Sequence, residues 1–599
     1  MGVSLATVGL ALVATTSLAM ASASPTRTSW GSTQEIPGIA SLNKGVVDPT
    51  AISCPSPGNC AAAGSYWTYD DPSAAPTEGF VVDEANGVWG RAQEVPGLAS
   101  QSQVVSISCA SQGNCAAGGN YWNAMYGPEG FVVDESDGTW GSAHDVPGID
   151  YEGNSDVYSV TCPAPGDCVA VGRAASAAGV HGFVVDESNG TWGSAQVIPG
   201  IQDLSTVSCA AVGDCAAGGG TDPAGQGSLV EEANGVWGAS IAVPVPAGLT
   251  ATYVESVSCP APGSCAATGN ASQGGFVVDQ TNGTWGTAQA VRGLVGLDVG
   301  GATYGFSISC AAPQECAAGG TYTGTGGRGH EQAFVVDEKS GTWGMAQEVA
   351  GLARVDQFAY LLTLSCGAAG DCAAGGYYAG AVGDDHGWVV NESGGTWGTG
   401  HVVPGLSALN VKGFASVSAV SCGPAGHCAA TGSYSGADLV SGFVSSLPGT
   451  GYCSPAARLT AVVVSHQRRA GSVYYRVVFT NHGDSPCQLY GIPGALAFDS
   501  RAQVPVGPPA TRTTAPGRGD VIFLNADGGQ AEATYAINIA RIGSKGCRPK
   551  AVDEVTLRPT GVPQMRVSLS NPYRSERLVC QGVRNEAIYG FGPVGQTLT

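Results

Sequence analysis

Positively charged residues are scarce in this chain. Lysine and arginine together number 25 among 599 residues, against 47 aspartates and glutamates, so the formal net charge is −22. Nucleic acids and anionic membrane surfaces would be repelled by such a protein, because they carry negative charge themselves. We therefore expect neither class of partner.

Long hydrophobic runs are also rare. The one extended apolar stretch, Gly2–Ala23, carries no charge and ends in the small residues Ala21-Ser22-Ala23. This pattern is typical of a secretory signal peptide, so we expect residues 1–23 to be a signal peptide and the mature protein to be extracellular. No later stretch is long and apolar enough for a membrane-spanning helix, and we expect no membrane insertion.

Familiar catalytic motifs are missing too. The sequence contains no nucleophile elbow, no phosphate-binding loop and no HExxH helix. His181, His330 and His386 fall in three different repeats, which disfavours a shared metal site. We expect no catalytic residues, no metal and no cofactor, and we favour a non-enzyme.

What the chain has instead is an eightfold repeat. Each copy holds two cysteines with five residues between them, a run resembling Gly-Phe-Val-Val-Asp-Glu, a glycine-containing turn and, in seven copies, Trp-Gly. The clearest copy lies between Ser159 and Gly200. The first cysteines recur every 47 to 56 residues. A period of this length marks stacked supersecondary units.

Each repeat reads as four short strands, A to D. Runs of β-branched, aromatic or alternating residues are separated by Gly, Pro, Asn or Asp, and the C–D joints are mostly Asn-Gly or Asp-Gly, a strong hairpin signal. Four antiparallel strands with one Trp per unit describe a β-propeller blade. We therefore predict an all-β protein with an eight-bladed β-propeller over residues 24–446.

The ends of the array predict how the ring closes. A lone D-type strand begins at Trp30, whereas the last unit, with Cys422 and Cys428, lacks a Trp-Gly strand of its own. The units balance if residues 30–36 complete the last blade, which would remove an open sheet edge. An open β-solenoid is the alternative, but it does not explain this offset.

Sixteen of the twenty cysteines form Cys-x5-Cys pairs that bracket the A–B turns. Facing residues of a tight hairpin lie close enough for a disulfide, whereas zinc sites usually need tighter spacing and a second ligand pair. Four further cysteines allow three connectivities, of which we favour Cys453–Cys487 and Cys547–Cys580. So many disulfides imply an oxidising compartment. The eight local pairs are Cys54–Cys60, Cys109–Cys115, Cys162–Cys168, Cys209–Cys215, Cys259–Cys265, Cys310–Cys316, Cys366–Cys372 and Cys422–Cys428.

The composition changes at Cys453. Residues 24–452 hold 38 acids and 9 bases, whereas residues 453–599 hold 9 acids and 16 bases. The C-terminal part has alternating strand patterns and Pro/Gly turns, which predict a β-sandwich domain. Residues 447–452 contain Leu-Pro-Gly-Thr-Gly, which we interpret as a linker rather than a sortase signal, because a whole domain follows it.

Two family resemblances follow from these residues. The run from Phe479 to Gly494, with Phe-Thr-Asn-x-Gly and Ser-Pro-Cys-x-Leu-x-Gly-x-Pro-Gly, resembles the actinobacterial domain of unknown function 4232, which implies secretion or envelope attachment and no known activity. The Asp-Glu-x-Asn-Gly-Thr-Trp runs resemble the Asp-box turns of sialidase-type propellers. That likeness implies a fold, but the cluster of arginines that a sialidase needs is not evident, and fold does not carry activity.

The repeated Asp-Glu pairs invite a functional interpretation. Paired carboxylates can act as acid and base or bind calcium, yet these recur blade after blade. We predict that they cap the C–D turns and that the tryptophans pack the blades. The pairs are Asp83-Glu84, Asp134-Glu135, Asp186-Glu187 and Asp337-Glu338.

Function is expected where the repeats differ, in the B–C and D–A loops of one face. Aromatic and acidic residues gather in the B–C loops of blades 1, 2 and 7, a combination that suits sugar stacking and hydroxyl recognition. The candidates are Tyr66, Trp67, Tyr69, Asp70, Asp71, Tyr121, Trp122, Tyr126, Tyr377, Tyr378, Asp384, Asp385 and His386.

The leading hypothesis is a secreted, non-catalytic binding or scaffold protein whose partner is a glycan, a wall polymer or a protein. The alternatives are a glycoside hydrolase or lyase acting from the variable face, and a purely structural adhesin. A carboxylate pair from two blades in one pocket, with one raised pKa, would favour the enzyme.

Overall fold

The computed structural model describes residue 30 and residues 33–592 apart from short segments; the expected signal peptide, residues 1–23, lies outside this part of the chain. Three one-turn helices, Ile39–Leu42, Leu294–Leu297 and Leu406–Leu409, interrupt an otherwise all-β chain. Within the described residues no helix is long and apolar enough to span a membrane. The segments not described are 57, 69–76, 86–87, 99–100, 126, 150–153, 177–178, 222–224, 273, 299–302, 325–329, 353–357, 381–383, 424–426, 448–458, 483–486, 491–493, 514–520, 525–529, 540–541, 543, 559–564, 570–576 and 582–585.

Residues 34–447 form eight antiparallel sheets, numbered here along the chain. Sheet 1 contains β2 (Val47–Ser56), β3 (Asn59–Trp67), β4 (Thr77–Ala85), β5 (Val88–Trp89) and β6 (Gln93–Glu94), and sheet 2 contains β7 (Ser102–Ser111), β8 (Asn114–Asn123), β9 (Gly127–Ser136), β10 (Thr139–Trp140) and β11 (His144–Asp145). Sheet 3 contains β12 (Ser155–Ala164), β13 (Asp167–Ser176), β14 (Gly179–Asp186) and β15 (Gln196–Val197). Sheet 4 contains β16 (Asp203–Ala211), β17 (Asp214–Thr221), β18 (Gln226–Ala233), β19 (Val236–Trp237) and β20 (Ile241–Ala242).

The other four sheets repeat this plan. Sheet 5 contains β21 (Ala251–Ala261), β22 (Ser264–Ala271), β23 (Gly274–Thr281), β24 (Thr284–Trp285) and β25 (Gln289–Ala290), and sheet 6 contains β26 (Thr303–Ala312), β27 (Glu315–Thr323), β28 (Glu331–Lys339), β29 (Thr342–Trp343) and β30 (Gln347–Glu348). Sheet 7 contains β31 (Ala359–Ala368), β32 (Asp371–Ala379), β33 (Asp385–Asn391) and β34 (His401–Val402). Sheet 8 contains β35 (Ala415–Cys422), β36 (Cys428–Ser435) and β37 (Val440–Leu447), together with β1 (Gln34–Glu35) from the N-terminal end.

The third strand of each sheet is apolar without alternation because both of its faces are covered. In β4, Phe80, Val81 and Val82 are all fully buried, since one face packs on the preceding sheet and the other on the next. The second strands carry glycines where the first strand bulges towards them. A Cβ at Gly119 would lie 1.9 Å from the carbonyl oxygen of Gln103, so no larger residue fits there.

The C–D joints are tight hairpins, as the Asn-Gly sequences predict. Asn189 and Gly190 both have positive φ, 50° and 76°, which is the backbone of a type I′ turn. The amide of Gly190 donates to the carbonyl of Gly166 in the A–B turn at 2.8 Å. The A–B and C–D turns therefore lie together at one end of each sheet, called here the disulfide end, and the B–C and D–A loops lie at the opposite, loop end.

Seven of the eight junctions between sheets carry a hydrogen bond through the serine that precedes the first cysteine. Sheet 3 has Thr161 in that place, and the Val207 amide of sheet 4 donates instead to Ser159 Oγ of sheet 3 at 3.2 Å. The Cys109 amide of sheet 2 donates to Ser53 Oγ of sheet 1 at 3.0 Å, and the Cys54 amide of sheet 1 donates to Ser421 Oγ of sheet 8 at 3.0 Å. The sheets therefore follow one another in a closed circle around their first strands. The same bond links Cys162 to Ser108, Cys259 to Ser208, Cys310 to Ser258, Cys366 to Ser309 and Cys422 to Ser365.

The N-terminal strand completes sheet 8, which is the pairing that the balance of repeats predicts. Gln34 lies opposite Val444, and Glu35 lies opposite Phe443. The Ile36 side chain is fully buried, and the ring nitrogen of Trp30 donates to Asn391 Oδ1 of sheet 7 at 3.2 Å.

The prediction that the Asp-Glu pairs cap the C–D turns is wrong for the aspartates. The Trp192 ring nitrogen of sheet 3 donates to both carboxylate oxygens of Asp134 in sheet 2, at 2.9 and 3.1 Å. Each aspartate thus reaches the tryptophan of the following sheet, and the tryptophans are largely buried between sheets as expected. The same clamp joins Trp140 to Asp83, Trp237 to Asp186, Trp343 to Asp279 and Trp397 to Asp337.

A double-mutant cycle tests this clamp. Asp134→Ala and Trp192→Phe should show a coupling free energy of about 1.5–3 kcal/mol, typical of a hydrogen bond to a charged group. The matched cycle is Glu231→Ala with Trp285→Phe, because the Trp285 ring nitrogen has no partner among the described residues. Urea unfolding should give coupling near zero there, and additivity at both sites would contradict the assignment.

All eight Cys-x5-Cys pairs are disulfides within their own sheets. Cys547 and Cys580 are also bonded, across a separation of 33 residues. Cys453 lies outside the described residues, so the expected Cys453–Cys487 bond stays a prediction.

Residues 459–592 form a separate set of sheets. The largest have the orders β38-β39-β45-β50-β43 and β42-β41-β47-β48, and they share one apolar core that includes Tyr475, Tyr535, Val555 and Leu557. The expected linker, residues 447–452, is described only at Leu447. The strands are β38 (Leu459–Arg469), β39 (Ser472–Asn481), β40 (Cys487–Tyr490), β41 (Gly494–Asp499), β42 (Val504–Pro505), β43 (Thr511–Thr513), β44 (Val521–Leu524), β45 (Gln530–Asn538), β46 (Pro549–Ala551), β47 (Glu554–Arg558), β48 (Met565–Ser568), β49 (Leu578–Cys580) and β50 (Glu586–Gly592).

Candidate functional site

The first strands differ most from one another at the loop end, where each begins. Equivalent positions, six residues before the first cysteine of each strand, hold Asp156, Asp203, Tyr253, Tyr304 and Tyr360 in sheets 3 to 7. Because the first strands encircle the axis of the ring, these side chains follow one another around its mouth. We call these five residues, with Arg173 and Tyr377 of the second strands and the neighbouring Tyr158 and Phe358, the mouth arc.

The polar end of the mouth arc is an ion pair. Arg173 Nε donates to Asp156 Oδ2 at 2.9 Å, and the Asn120 amide of sheet 2 donates to Asp156 Oδ1 at 2.7 Å. The Arg173 guanidinium lies 5.7 Å from the centre of the Tyr158 ring. Its side chain remains 46% exposed although its partner is nearly buried, so the cation is oriented and still accessible.

Sheets 4 and 5 contribute the middle of the mouth arc. The Asp203 carboxylate accepts the Gly220 amide at 3.2 Å and a hydrogen bond from the Tyr253 hydroxyl. Burial, and secondarily this carboxylate, raise the pKa of Tyr253 to about 12. Glu255, two residues on, accepts the Phe306 amide of sheet 6 at 2.5 Å, which ties the next sheet to this one.

The aromatic end of the mouth arc is a stack of rings from sheets 6 and 7. Tyr360 and Tyr377 are stacked with centroids 5.0 Å apart. Phe358 meets Tyr360 edge-on at 5.3 Å, and Tyr304 lies 6.1 Å from Tyr360. All four rings are partly exposed, so the stack presents aromatic surface on a rigid support.

The surroundings of the mouth arc are acidic. Burial and then the Asp156 carboxylate raise the pKa of Tyr158, and burial, Tyr360 and the Asp385 carboxylate raise that of Tyr377. Arg173, paired with Asp156, is the cation of the arc. The site therefore combines aromatic faces, oriented carboxylates and tyrosine hydroxyls, with negative charge in excess.

Most candidates of the sequence prediction lie beside the mouth arc rather than in it. Tyr66 is buried and donates to Glu78 Oε2 at 2.7 Å. The Tyr121 hydroxyl oxygen lies 2.6 Å from both Glu129 Oε2 and Asp145 Oδ1, within hydrogen-bond distance of each. These hydroxyls are held within their own sheets, which gives them a packing role.

The remaining candidates fall in four groups. Tyr377 belongs to the mouth arc. Tyr378 packs 5.1 Å from the His386 ring, whose Nε2 lies 3.0 Å from Asp384 Oδ2, and Asp385 follows in the same hairpin. Trp122 is half exposed, and Trp67 packs over Gly45. Tyr69, Asp70, Asp71 and Tyr126 lie outside the described residues.

The sequence prediction missed Asp156, Tyr158, Arg173, Asp203, Tyr253, Tyr304, Phe358 and Tyr360. That prediction relied on loops that differ in length between repeats, whereas most of these residues lie in the strands, at the same positions of each repeat. Aligning the repeats on their cysteines and asking where the first strand changes from acid to tyrosine would have found most of them.

The disulfide end carries buried carboxyl groups. The glutamates of the Asp-Glu pairs are 2–5% exposed, and burial raises the pKa of Glu187 to about 7 and that of Glu338 to about 8. A cavity of about 150 Å³ lies between sheets 1 and 2, where Asp83 and Glu135 are among the lining residues. This meets the criterion stated for an enzyme, but sugar-binding pockets are larger, roughly 300 Å³ or more.

One histidine approaches a cysteine pair. His427 of sheet 8 lies within 4.8 Å of Cys54 and Cys60, the only group of three potential metal ligands among the described residues. Those thiols are consumed in a disulfide. The His427 Nε2 accepts the Gly58 amide at 3.2 Å, and burial lowers its pKa to about 4, so the neutral imidazole serves as a structural acceptor.

Comparisons with known proteins bear on both parts of the chain. Residues 453–586 match the family described as domain of unknown function DUF4232, which confirms that resemblance. No curated protein matches the chain.

Solved structures similar to the chain include β-propellers. The Dos1 propeller is 9% identical, with 70% of this chain and 96% of that chain covered and a TM-score of 0.42. The β-propeller domain of the Trilobed protease from Pyrococcus furiosus is 8% identical, with 59% and 97% covered and a TM-score of 0.33. A subtype N11 neuraminidase-like protein of A/flat-faced bat/Peru/033/2010 (H18N11) is 12% identical, with 53% and 96% covered and a TM-score of 0.30.

Proposed function

We propose that the protein is a secreted, non-catalytic glycan-binding protein that takes a neutral or amino-sugar chain at the mouth arc. The eight sheets would be the blades of an eight-bladed propeller closed by the N-terminal strand, and the C-terminal part a β-sandwich. The expected signal peptide and the many disulfides support a site outside the cell, where wall polymers and other glycans are available.

The observation that carries this proposal is the stack of Tyr360, Tyr377 and Phe358 beside oriented carboxylates. Sugar rings present apolar C–H faces to aromatic rings, and their hydroxyls pair with carboxylates and tyrosine hydroxyls. Strands hold Tyr360 and Tyr377, so ordering these two rings on binding costs little. Because carboxylates exceed the single Arg173, an acidic polymer is disfavoured.

The direct test is an array of purified neutral, amino and acidic oligosaccharides and wall fragments, followed by calorimetric titration of the strongest binder. Tyr360→Ala should weaken binding at least about tenfold, since a stacked aromatic pair contributes roughly 0.5–1.5 kcal/mol beyond its buried area. Tyr360→Phe should retain most of the affinity, because the ring remains.

Trp122→Ala is the matched control, because Trp122 is also an exposed aromatic at the loop end but lies outside the mouth arc. Its affinity should be unchanged. Loss of binding in Trp122→Ala with wild-type affinity in Tyr360→Ala would move the site to the loop of sheet 2. Release of reducing sugar from the bound oligosaccharide would show that the protein hydrolyses the glycan, and the proposal of a non-catalytic binding protein would then be wrong.

A further inference from the structure

The two aspartates of the mouth arc are already engaged by groups of the protein. The Asp156 carboxylate accepts a hydrogen bond from Arg173 Nε at 2.9 Å and forms an ion pair with it. The Asp203 carboxylate accepts the Gly220 amide at 3.2 Å and the Tyr253 hydroxyl. A ligand with positive charge would have to displace these contacts, so neither aspartate is a ready partner for one.

A third carboxylate, that of Asp385, lies beside the aromatic end of the mouth arc and is not engaged. Asp385 begins β33 and is half-buried. Within the described part of the chain, no group donates a hydrogen bond to its carboxylate and no base forms an ion pair with it. The neighbouring His386 is paired with Asp384 instead, at 3.0 Å. A partly buried carboxylate without a partner favours a cationic ligand.

The strand register places this carboxylate with the stacked tyrosines. In the hairpin of β32 and β33, Asp385 lies opposite Ala379, two residues after Tyr377. Tyr360 of β31 lies opposite Tyr377 on its other side. Facing residues and residues two apart on a strand share one face of a sheet, and diagonal neighbours on that face are within reach of long side chains. Both rings and the carboxylate are therefore on the same side of sheet 7.

The electrostatics of the rings agree with this placement. Asp385 is among the groups that raise the pKa of Tyr377, after burial and Tyr360. The buried Glu331 of sheet 6 acts in the same direction on Tyr377 and on Tyr304. The faces of aromatic rings also attract cations. A cationic group at this end of the mouth arc would thus meet negative potential from the rings and from Asp385.

We propose that the aromatic end of the mouth arc selects sugars that carry a free, protonated amine, with the sugar ring on the tyrosine stack and the ammonium group paired with Asp385. This inference rests on the proposed glycan-binding function and narrows its ligand to cationic amino sugars. An N-acetylated sugar presents a neutral amide and cannot form the ion pair. A lysine side chain could form it, but it brings no sugar face to the stacked rings.

The test compares two tetrasaccharides that differ only in acetylation, β-1,4-linked glucosamine and its N-acetylated counterpart. Each is titrated calorimetrically into the full chain at mildly acidic pH, where the sugar amines are protonated. The wild type should bind the glucosamine form at least about tenfold more tightly, which is about 1.4 kcal/mol. Asp385→Asn should remove this preference by weakening the glucosamine form alone, whereas Tyr360→Ala should weaken both forms.

Asp438→Asn is the matched control, because Asp438 is an exposed acid at the loop end of the neighbouring sheet 8 and lies outside the mouth arc. Both affinities should be unchanged in this variant. Added salt should reduce the preference of the wild type for the glucosamine form, since ions screen the pair between the ammonium and Asp385. Tetralysine should bind at least about tenfold more weakly than the glucosamine form, as it lacks the stacking contribution.

Equal affinity of the wild type for the two tetrasaccharides would overturn the inference, and this comparison needs no variant. A preference that survives in a folded Asp385→Asn protein, or tetralysine binding as tight as that of the glucosamine form, would overturn it as well. In each case the proposed function stands if another oligosaccharide of the array loses affinity in Tyr360→Ala. An array without any binder would refute the proposed function and this inference together.

Discussion

Deleting residues 30–36 is expected to destabilise the circle of sheets by on the order of 10 kcal/mol, because the deletion removes buried side chains and also uncovers a sheet edge. Trp30 is 2% exposed and Ile36 is fully buried. Replacing one buried isoleucine by alanine alone costs about 2–5 kcal/mol. Without β1, the backbone of Val440–Leu447 becomes an open edge that can pair with another chain.

Point variants separate the two contributions. Ile36→Ala should lower the free energy of unfolding by several kcal/mol, whereas Gln34→Ala, at an exposed position of the same strand, should stay within about 0.5 kcal/mol of the wild type. Urea unfolding measures both, and size-exclusion chromatography should show oligomers of the deletion variant. A monomeric deletion variant as stable as the wild type would mean that β1 does not close the ring.

Replacing buried glutamates of the disulfide end by glutamine should stabilise the protein at neutral and alkaline pH. The groups to change are Glu187, Glu232 and Glu338, whose carboxyl pKa values burial raises to about 7, 7 and 8. A shift of one pKa unit corresponds to about 1.4 kcal/mol, so each change should contribute about 1–3 kcal/mol at pH 8.

The direction follows from proton linkage. These carboxyl groups hold their protons in the folded state up to pH 7–8 but release them near the ordinary value of 4.5 when unfolded. Between those limits the folded state binds more protons, so stability falls as pH rises from about 4.5 to about 8 and is greatest on the acidic side. Below pH 4.5 both states are protonated, and the triple variant should match the wild type.

Urea midpoints at pH 4, 6 and 8 decide the matter. The triple variant should have a flatter profile than the wild type, and Glu315→Gln, at a half-buried acid near Glu338, serves as the control. Gln280 already occupies the equivalent position in sheet 5, which shows that the amide fits. A triple variant that is less stable than the wild type at pH 8 would mean that these carboxylates are satisfied by an occupant.

Features repeated in every unit could be predicted from the sequence, because each copy is an independent sample of the same local chemistry. Asn189-Gly190 has the positive φ angles that its residues favour, and the paired cysteines meet across their own hairpins. The pairing of Gln34–Glu35 with sheet 8 also followed, since a missing strand at one end matched a surplus strand at the other.

Contacts between units could not be predicted in this way. Asp134 was assigned to its own turn because local capping is the usual role of aspartate there, yet it reaches Trp192, 58 residues away. Tyr304 and Tyr360 come together only because their strands begin side by side around the axis. No periodicity within one repeat signals such a meeting, which only a comparison of the repeats with one another could have suggested.

The serine-to-cysteine hydrogen bonds have an evolutionary consequence. Because seven of the eight junctions use the same donor and the same kind of acceptor, most units present compatible surfaces to one another. An unequal crossover in the gene, in phase with the repeat, would add or remove a unit without creating a new kind of junction. The last unit is divided between the two ends of the array, so an exchange within the array leaves both of its parts in place. The circle of sheets could therefore still close after such an event.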